Sequence, residues 1–286
     1  MTAALSLQGF AAGTRQAAVV VSGISFAVHP GEAVALLGAN GAGKTTLLRA
    51  IAGLAPELGG ALRIFAAPAP RGAAARVRAG IALSFQNPDD QLFGATVAED
   101  VAVGPRQRGL SEDEIRSEVR EALQATDLLP LADSPIDALS FGEKRRACLA
   151  GVLAMHSRIL LLDEPTSGLD PRGERQAAAM LERLVRERGI ALLAATHAID
   201  LVPSFASRVV LLGEGRMLLD ADCRTAFARK DLLDRARLRP PFAAEVWARL
   251  MGGDPARAAH VPLTSEELAS QLESALGTGQ LSQEVA

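Results

Sequence analysis

The segment AVALLGANGAGKTT, residues 33–46, constrains the fold more than any other part of the chain. Its first half is an unbroken apolar run, short enough for a buried strand, that ends at Gly38. Its second half, Gly38 through Asn40, Gly41, Ala42, Gly43, Lys44, Thr45 and Thr46, matches G-x-x-x-x-G-K-[ST] and leads into a helical stretch, 45–52. Strand, glycine loop and helix form one half of an α/β unit. The glycines allow successive backbone N–H groups to wrap a phosphate. Lys44 then reaches the outer phosphates, and the Thr45 hydroxyl can ligate Mg²⁺.

The rest of the chain supplies the other layers. Residues 19–28 (VVVSGISFAV) read as a strand, and HPGE at 29–32 turns the chain into the apolar run. Further strands are expected at 80–85, 159–162, 191–196 and 208–212. Helices are expected at 111–125, where Ser111 and Glu114 have capping-box spacing, and at 171–188, where Asp170 precedes Pro171. The strands at 159–162 and 191–196 are almost wholly apolar, as strands covered on both faces are. These features predict a layered α/β domain with a largely parallel core sheet, closed by a hairpin at 209–220. From residue 221 the chain is rich in Arg and Ala, passes LRPPF at 238–242, and continues through SEELASQLESAL at 265–276 to a polar tail. We read 221–286 as a small helical appendage. Phe242, Val246, Trp247 and Leu250 fall at helical spacing there and predict one apolar face in need of a partner.

Composition excludes several roles. With 30 basic and 33 acidic residues the formal charge is −3, which gives no global attraction to nucleic acid or to an anionic membrane. The two cysteines, Cys148 and Cys223, are isolated, so neither a disulfide framework nor structural zinc is expected. No basic start leads into an apolar run at the N-terminus, and no window approaches the roughly 20 apolar residues of a membrane span. A cytoplasmic chain that reaches a membrane only by docking is the expectation.

Four more stretches carry chemistry. ILLLDEP, 159–165, delivers Asp163 and Glu164 at the C-terminal end of a buried strand, the edge at which open α/β sheets bind ligands. Alone, such a pair is more often a solvated loop start. Beside a phosphate loop, Asp163 suits the Mg²⁺ shell and Glu164 suits a water to be oriented or deprotonated, and alternation along a strand would point them to opposite sides. His197 follows the apolar run ALLAAT, either as a core-edge residue or as a contact to the γ-phosphate. Gln86 closes IALSFQ at another strand end. LSFGEKRR, 139–146, reads as a helix start with Ser140 as cap, Gly142 permitting close approach, and a basic run of Lys144, Arg145 and Arg146. A helix N-terminus of this kind is an anion site.

In order and spacing this set resembles the ATP-binding subunits of ABC transporters over about residues 1–220. GANGAGKTT corresponds to Walker A, Gln86 to the Q-loop, LSFGEKRR to the signature, ILLLDE to Walker B, SGLD (167–170) to the D-loop, and His197 to the switch histidine. The resemblance implies a P-loop NTPase core, an antiparallel β subdomain and a helical subdomain at about 87–156. ATP and Mg²⁺ are the implied ligands. Gly38, Asn40, Gly41, Ala42, Gly43, Lys44, Thr45 and Thr46 would bind the nucleotide; Thr45, Gln86 and Asp163 would hold the metal; Glu164, His197 and Gln86 would be catalytic. Two subunits would pack head to tail, so that Ser140, Gly142 and Glu143 of one meet the γ-phosphate held by the other. Two positions depart from the family pattern. Phe141 stands where signatures usually have Gly, and the aromatic residue that usually stacks on adenine is replaced near Thr14, with Phe10 the nearest aromatic.

The stretch 85–105 is similar to the Q-loop region of energy-coupling-factor importers, 139–155 is most similar to their cobalt/nickel branch, and 237–252 is similar to their C-terminal appendage, which implies that 221–286 helps hold the ATPase dimer. The implied partners are a second ATPase subunit, most simply an identical one, a transmembrane coupling protein docking at 87–93, and a membrane-embedded substrate-binding protein. No nucleic acid is involved, and the metal cargo would not touch this chain. Leu92 and Phe93 either form that docking surface or pack beneath the helical subdomain. Two other readings are an ATPase shared among vitamin-uptake modules and a soluble ABC ATPase of translation or DNA repair; the latter usually carries paired cassettes or long coiled-coil insertions, absent here.

Overall fold

The computed structural model describes residues 2–14, 16, 18–250 and 261–277. Strands β1 (Leu5–Gly13), β2 (Val19–Val28), β4 (Glu57–Ile64) and β5 (Ala67–Pro68) form an antiparallel sheet in the order β2-β1-β4-β5. The central sheet contains β3 (Ala33–Leu37), β6 (Ile81–Ser84), β7 (Ile159–Asp163), β8 (Ala191–Ala195), β9 (Arg208–Gly213) and β10 (Arg216–Asp222), in the order β10-β9-β3-β8-β7-β6. All its pairings are parallel except that of β9 with β10.

Alternation explains why the central strands are apolar at every position. Along β3, Val34 and Leu36 enter one core while Ala33, Ala35 and Leu37 enter the other. Along β7, Ile159 and Leu161 face the first core and Leu160 and Leu162 the second. The first core is roofed by the antiparallel sheet and α1 (Lys44–Ile51). Helix α2 (Ala73–Arg78) leads from that layer into β6. The second core is covered by α3 (Val97–Val101), α5 (Glu112–Ala125), α6 (Phe141–Ala154) and α7 (Pro171–Arg188), and α4 (Val103–Gln107) packs on the first three of these helices. Residues 87–156 are thus largely helical, and Ser111 and Ser140 both cap helices through complete capping boxes.

The end of the chain is less separate than its composition predicts. β10 runs to Asp222, and Cys223, Ala226, Phe227, Leu232, Leu233 and Ala236, from α8 (Cys223–Ala228), α9 (Lys230–Arg235) and the residue after it, are buried in the second core. The Ala39 N–H also donates to the Ala236 carbonyl at 3.2 Å, tying this segment to the glycine loop. Beyond it, α10 (Phe242–Leu250) and α11 (Ser265–Gly277) share a small core of Ala243, Ala244, Trp247, Val261 and Leu268. The apolar face expected on α10 is therefore divided. Trp247 is buried against α11, while Phe242 (67 % exposed) and Leu250 remain outside. Residues 251–260 and 278–286, which include part of the expected appendage and its polar tail, lie outside the described residues. Among the described residues no helix is long and apolar enough to cross a membrane.

Candidate active site

Strand order brings the separate motifs together. β3, β8, β7 and β6 are consecutive neighbours, and their C-terminal ends carry in turn the glycine loop, His197, the Asp163–Glu164 pair and Gln86. Neighbouring strands lie about 4.8 Å apart, so four strand ends span roughly 15 Å, the reach of a nucleotide triphosphate tail with its metal shell.

The loop 38–46 is shaped for an anion. Gly41 and Gly43 have φ of 82° and 98°, and a Cβ on Gly43 would lie 2.3 Å from a Val21 methyl carbon, so only glycine fits where β2 presses on the loop. Helix α1 begins with no side-chain cap and no acidic residue in its first turn. By contrast α5, α6, α7 and α8 are capped by Ser111, Ser140, Asp170 and Asp222. The first N–H groups of α1 are thus left to an external acceptor. Lys44 is buried, and its ammonium donates to the carbonyls of Gly38 (2.7 Å) and Ala39 (3.3 Å). Burial lowers its pKa, against the opposing pull of Glu164 and Asp163. The Thr45 hydroxyl bonds the Asp163 carboxylate, whose pKa burial raises in spite of that bond. A desolvated ammonium and a desolvated carboxylate beside bare N–H groups fit a phosphate chain carrying Mg²⁺. Asn40 and Gly41 are exposed at the loop tip, Ala42 is buried beneath it, and Thr46 is half-buried on α1.

Asp163 and Glu164 diverge for a different reason from the alternation expected. Asp163 is the last residue of β7, whereas Glu164 leaves the strand at φ 55°, in the left-handed region. Glu164 is 5 % exposed and held on three sides. Its N–H donates to the Ala195 carbonyl (2.8 Å), its carboxylate accepts from the His197 N–H (3.2 Å) and contacts His197 Nδ1 (2.8 Å), and its carbonyl accepts from Arg145 (2.6 Å). The His197 ring is 59 % exposed, so it is no core-edge residue; it bridges the carboxylate and the open side of the site. The Gln86 side chain is exposed with no hydrogen bond among the described residues, while its carbonyl accepts from Arg145 at 2.9 Å. In the sequence Arg145 stands out only as part of a basic run; nothing in the pattern marks it as a bridge between two strand ends.

Ser140, Gly142 and Glu143 lie apart from the loop. Ser140 and Gly142 line a cavity of about 750 Å³ between α6 and α7 to which no residue of 38–46 contributes. Ser140 is exposed and donates its hydroxyl to the Glu143 carboxylate (2.7 Å), whose pKa these hydrogen bonds lower. Phe141 is exposed beside them and leans on Gly168, where a Cβ would come within 2.7 Å of its ring. Phe10 is only 1 % exposed, inside the first core, and cannot stack on a base. The exposed apolar side chain on the strand that presses on the loop is Val19, and Thr14 is exposed across the same hairpin.

At 85–95 the loop after β6 is anchored from below. Gln91 accepts from the Phe85 N–H (3.1 Å) and donates to the Cys148 carbonyl (3.1 Å), and the buried Asp100 accepts from the N–H groups of Phe93 and Gly94 (2.8 and 2.9 Å). The pair expected to act together is split: Leu92 packs on the second core, and Phe93 is 74 % exposed.

The family described as ABC transporter matches residues 21–167. A putative ABC transporter ATP-binding protein of Streptomyces coelicolor is 41% identical over 274 residues, covering 95% of this chain and 96% of its own. An energy-coupling factor transporter ATP-binding protein of Clostridium perfringens is 40% identical over 223 residues, 77% of this chain and 78% of its own. Among solved structures, that of cbiO1 from Clostridium perfringens, part of the ABC transporter complex cbiONQ, superposes with a TM-score of 0.75 at 35% identity, covering 88% of this chain and 100% of that one.

Proposed function

The chain belongs to the ATP-binding proteins of ABC transporters and is an ATP-hydrolysing member of that family, and from that premise we propose that it energises an importer of the energy-coupling-factor type whose cargo is cobalt or nickel. The type is supported by the Clostridium perfringens relative that bears that name and by the likeness to cbiO1. The cargo rests on the similarity of residues 139–155 to the cobalt/nickel branch. An ATPase shared among vitamin-uptake modules is the second reading, favoured by the general energy-coupling-factor name of that relative.

The observation that carries the chemistry is the row of four adjacent strand ends with Glu164 clamped to His197. The loop N–H groups and Lys44 would bind the phosphates. Thr45, Asp163 and the free Gln86 amide would hold Mg²⁺, which when bound neutralises phosphate charge. Glu164 would take the proton of the attacking water, and His197 would orient that carboxylate while facing the γ-phosphate. The signature residues, which share no cavity with their own loop, would serve the nucleotide of a second copy arranged head to tail. Exposed Phe93, on its anchored loop, would meet the transmembrane coupling protein at the cytoplasmic face of the membrane, with a membrane-embedded substrate-binding protein completing the importer.

A cysteine pair, Asn40→Cys with Ser140→Cys, tests the arrangement, since a disulfide needs Cα atoms within about 7 Å. The two native thiols are buried with pKa values pushed to about 12, so they stay silent at neutral pH. In a Glu164→Gln background, oxidation should give a covalent dimer whose yield rises with ATP. A cross-link formed only within one chain would mean that the signature serves its own nucleotide.

A further inference from the structure

Arg145 joins the signature helix to the catalytic strand ends of its own subunit. From the second turn of α6, Nη1 donates to the Glu164 carbonyl at 2.6 Å and Nη2 to the Gln86 carbonyl at 2.9 Å. These carbonyls belong to the ends of two adjacent strands, β7 and β6, so one planar fork spans both. The guanidinium is half-buried, and its carbon lies 5.0 Å from the centroid of the Phe141 ring, the residue that departs from the usual signature glycine. Burial lowers the Arg145 pKa, opposed by Cys148, Glu164 and Asp163, the charged or ionisable groups that face it.

Two features make these hydrogen bonds decisive for the catalytic carboxylate. Glu164 sits at φ 55°, a conformation that L residues avoid and that must be held by its surroundings. Its N–H side is fixed by Ala195 on β8, and its carbonyl accepts from Arg145 at 2.6 Å and, more loosely, from the Ser167 N–H at 3.2 Å in the turn that follows. Arg145 also lines the cavity of about 750 Å³ between α6 and α7, together with Leu149, Leu162 and Leu169, so packing beside the fork is incomplete. α6 also meets the loop after β6 through Lys144 with Asp89 (2.7 Å) and through the Cys148 carbonyl with Gln91 (3.1 Å), but from this helix it is the fork that holds the Glu164 carbonyl.

We propose that Arg145 is a positioning residue for hydrolysis: by holding the backbone at Glu164 and Gln86 it aligns the carboxylate and the amide of its own site, and it ties that alignment to the placement of the signature helix. The proposal rests on Glu164 being the general base. Through the same helix, whatever displaces Ser140 and Gly142 is felt at the carbonyls of Gln86 and Glu164. Lysine cannot replace the fork, since a single ammonium on a longer stem does not span two strand ends with fixed geometry.

The test is single-turnover hydrolysis by the full chain, normalised to bound ATP. Arg145→Met should lower the rate about 10–100-fold, the scale of a misplaced catalytic group, with the Kd for ATP within about twofold of wild type. Arg145→Lys should fall between the two. In a Glu164→Gln background, adding Arg145→Met should lower the residual rate less than about threefold, because Glu164 is the group it chiefly positions and only the Gln86 amide is then left for it to align. An equal fold-loss in both backgrounds, or wild-type hydrolysis by Arg145→Met, overturns the proposal. If the methionine variant fails to fold, the lysine variant decides: a wild-type rate overturns, and a reduced rate that disappears as a difference in the Glu164→Gln background supports. Wild-type hydrolysis by Glu164→Gln alone would instead remove the reading on which the proposal rests.

Discussion

At Glu164 a carboxylate that could have been a solvated strand-end residue is 5 % exposed, bent into the left-handed region and bonded to His197. A buried acceptor held by the His197 backbone N–H and touching the ring Nδ1 of the same residue cannot reorient freely, which suits a base that must meet water at a fixed angle. Glu164→Gln keeps the shape and the bond to the His197 N–H but removes the proton acceptor. It should leave ATP and Mg²⁺ binding intact and slow hydrolysis about 10²–10⁴-fold, read by steady-state phosphate release beside equilibrium nucleotide binding. Identity and strand-end position of Asp163, Glu164 and His197 were legible, because each follows an apolar run. The cause of the Asp163–Glu164 divergence was not, since a positive φ at a non-glycine residue leaves no mark in sequence. Nor was the burial of Phe10, which faces the first core from β1, a strand whose pairing register shifts near Phe10.

At the scale of elements, caps and alternation were readable because they are local. Ser111 with Glu114 and Asp170 before Pro171 begin their helices as their spacing predicts. The loop after β6 shows the limit of local reading. Leu92 and Phe93 are adjacent and similar in hydropathy, yet one enters the core and the other is 74 % exposed, because the bonds of Gln91 to Phe85 and Cys148 and of the Phe93 and Gly94 N–H groups to Asp100 fix which way the backbone faces. An exposed Phe on a loop held this firmly is presented in a fixed position to a partner. Phe93→Asp should abolish cobalt or nickel uptake by the assembled transporter while the purified chain keeps its melting temperature and ATP affinity. Loss of vitamin uptake instead, with metal uptake unchanged, would move the cargo to the second reading.

For the whole molecule, the placement of residues after 220 governs what a truncation does. Phe227, Leu232 and Leu233 are buried in the second core, and at about 1.5–3 kcal/mol for each fully buried side chain they represent a large share of the roughly 5–15 kcal/mol that holds a domain folded. A chain ending at Asp220 should therefore be largely unfolded or aggregated. A chain ending at Arg239 keeps them, and removes α10, α11 and the exposed Phe242. It should fold and bind ATP but dimerise more weakly, by sedimentation against the full chain. Dimerisation as tight as that of the full chain would assign the appendage another role.

The sequence by itself determined which groups stand where apolar strands run out: a glycine loop with lysine and threonine, carboxylates, a histidine and a glutamine, together with helix starts written in their capping residues. Those signals lie within a few residues of one another, where backbone preference and strand period act. Tertiary structure alone decided which strand ends become neighbours, that Arg145 bridges two of them, that Trp247 closes on α11, and that the chain after 220 returns to the core. Each is a contact between segments tens of residues apart or between faces of different elements, and its energy comes from burial and from hydrogen bonds that exist only once the chain has closed on itself.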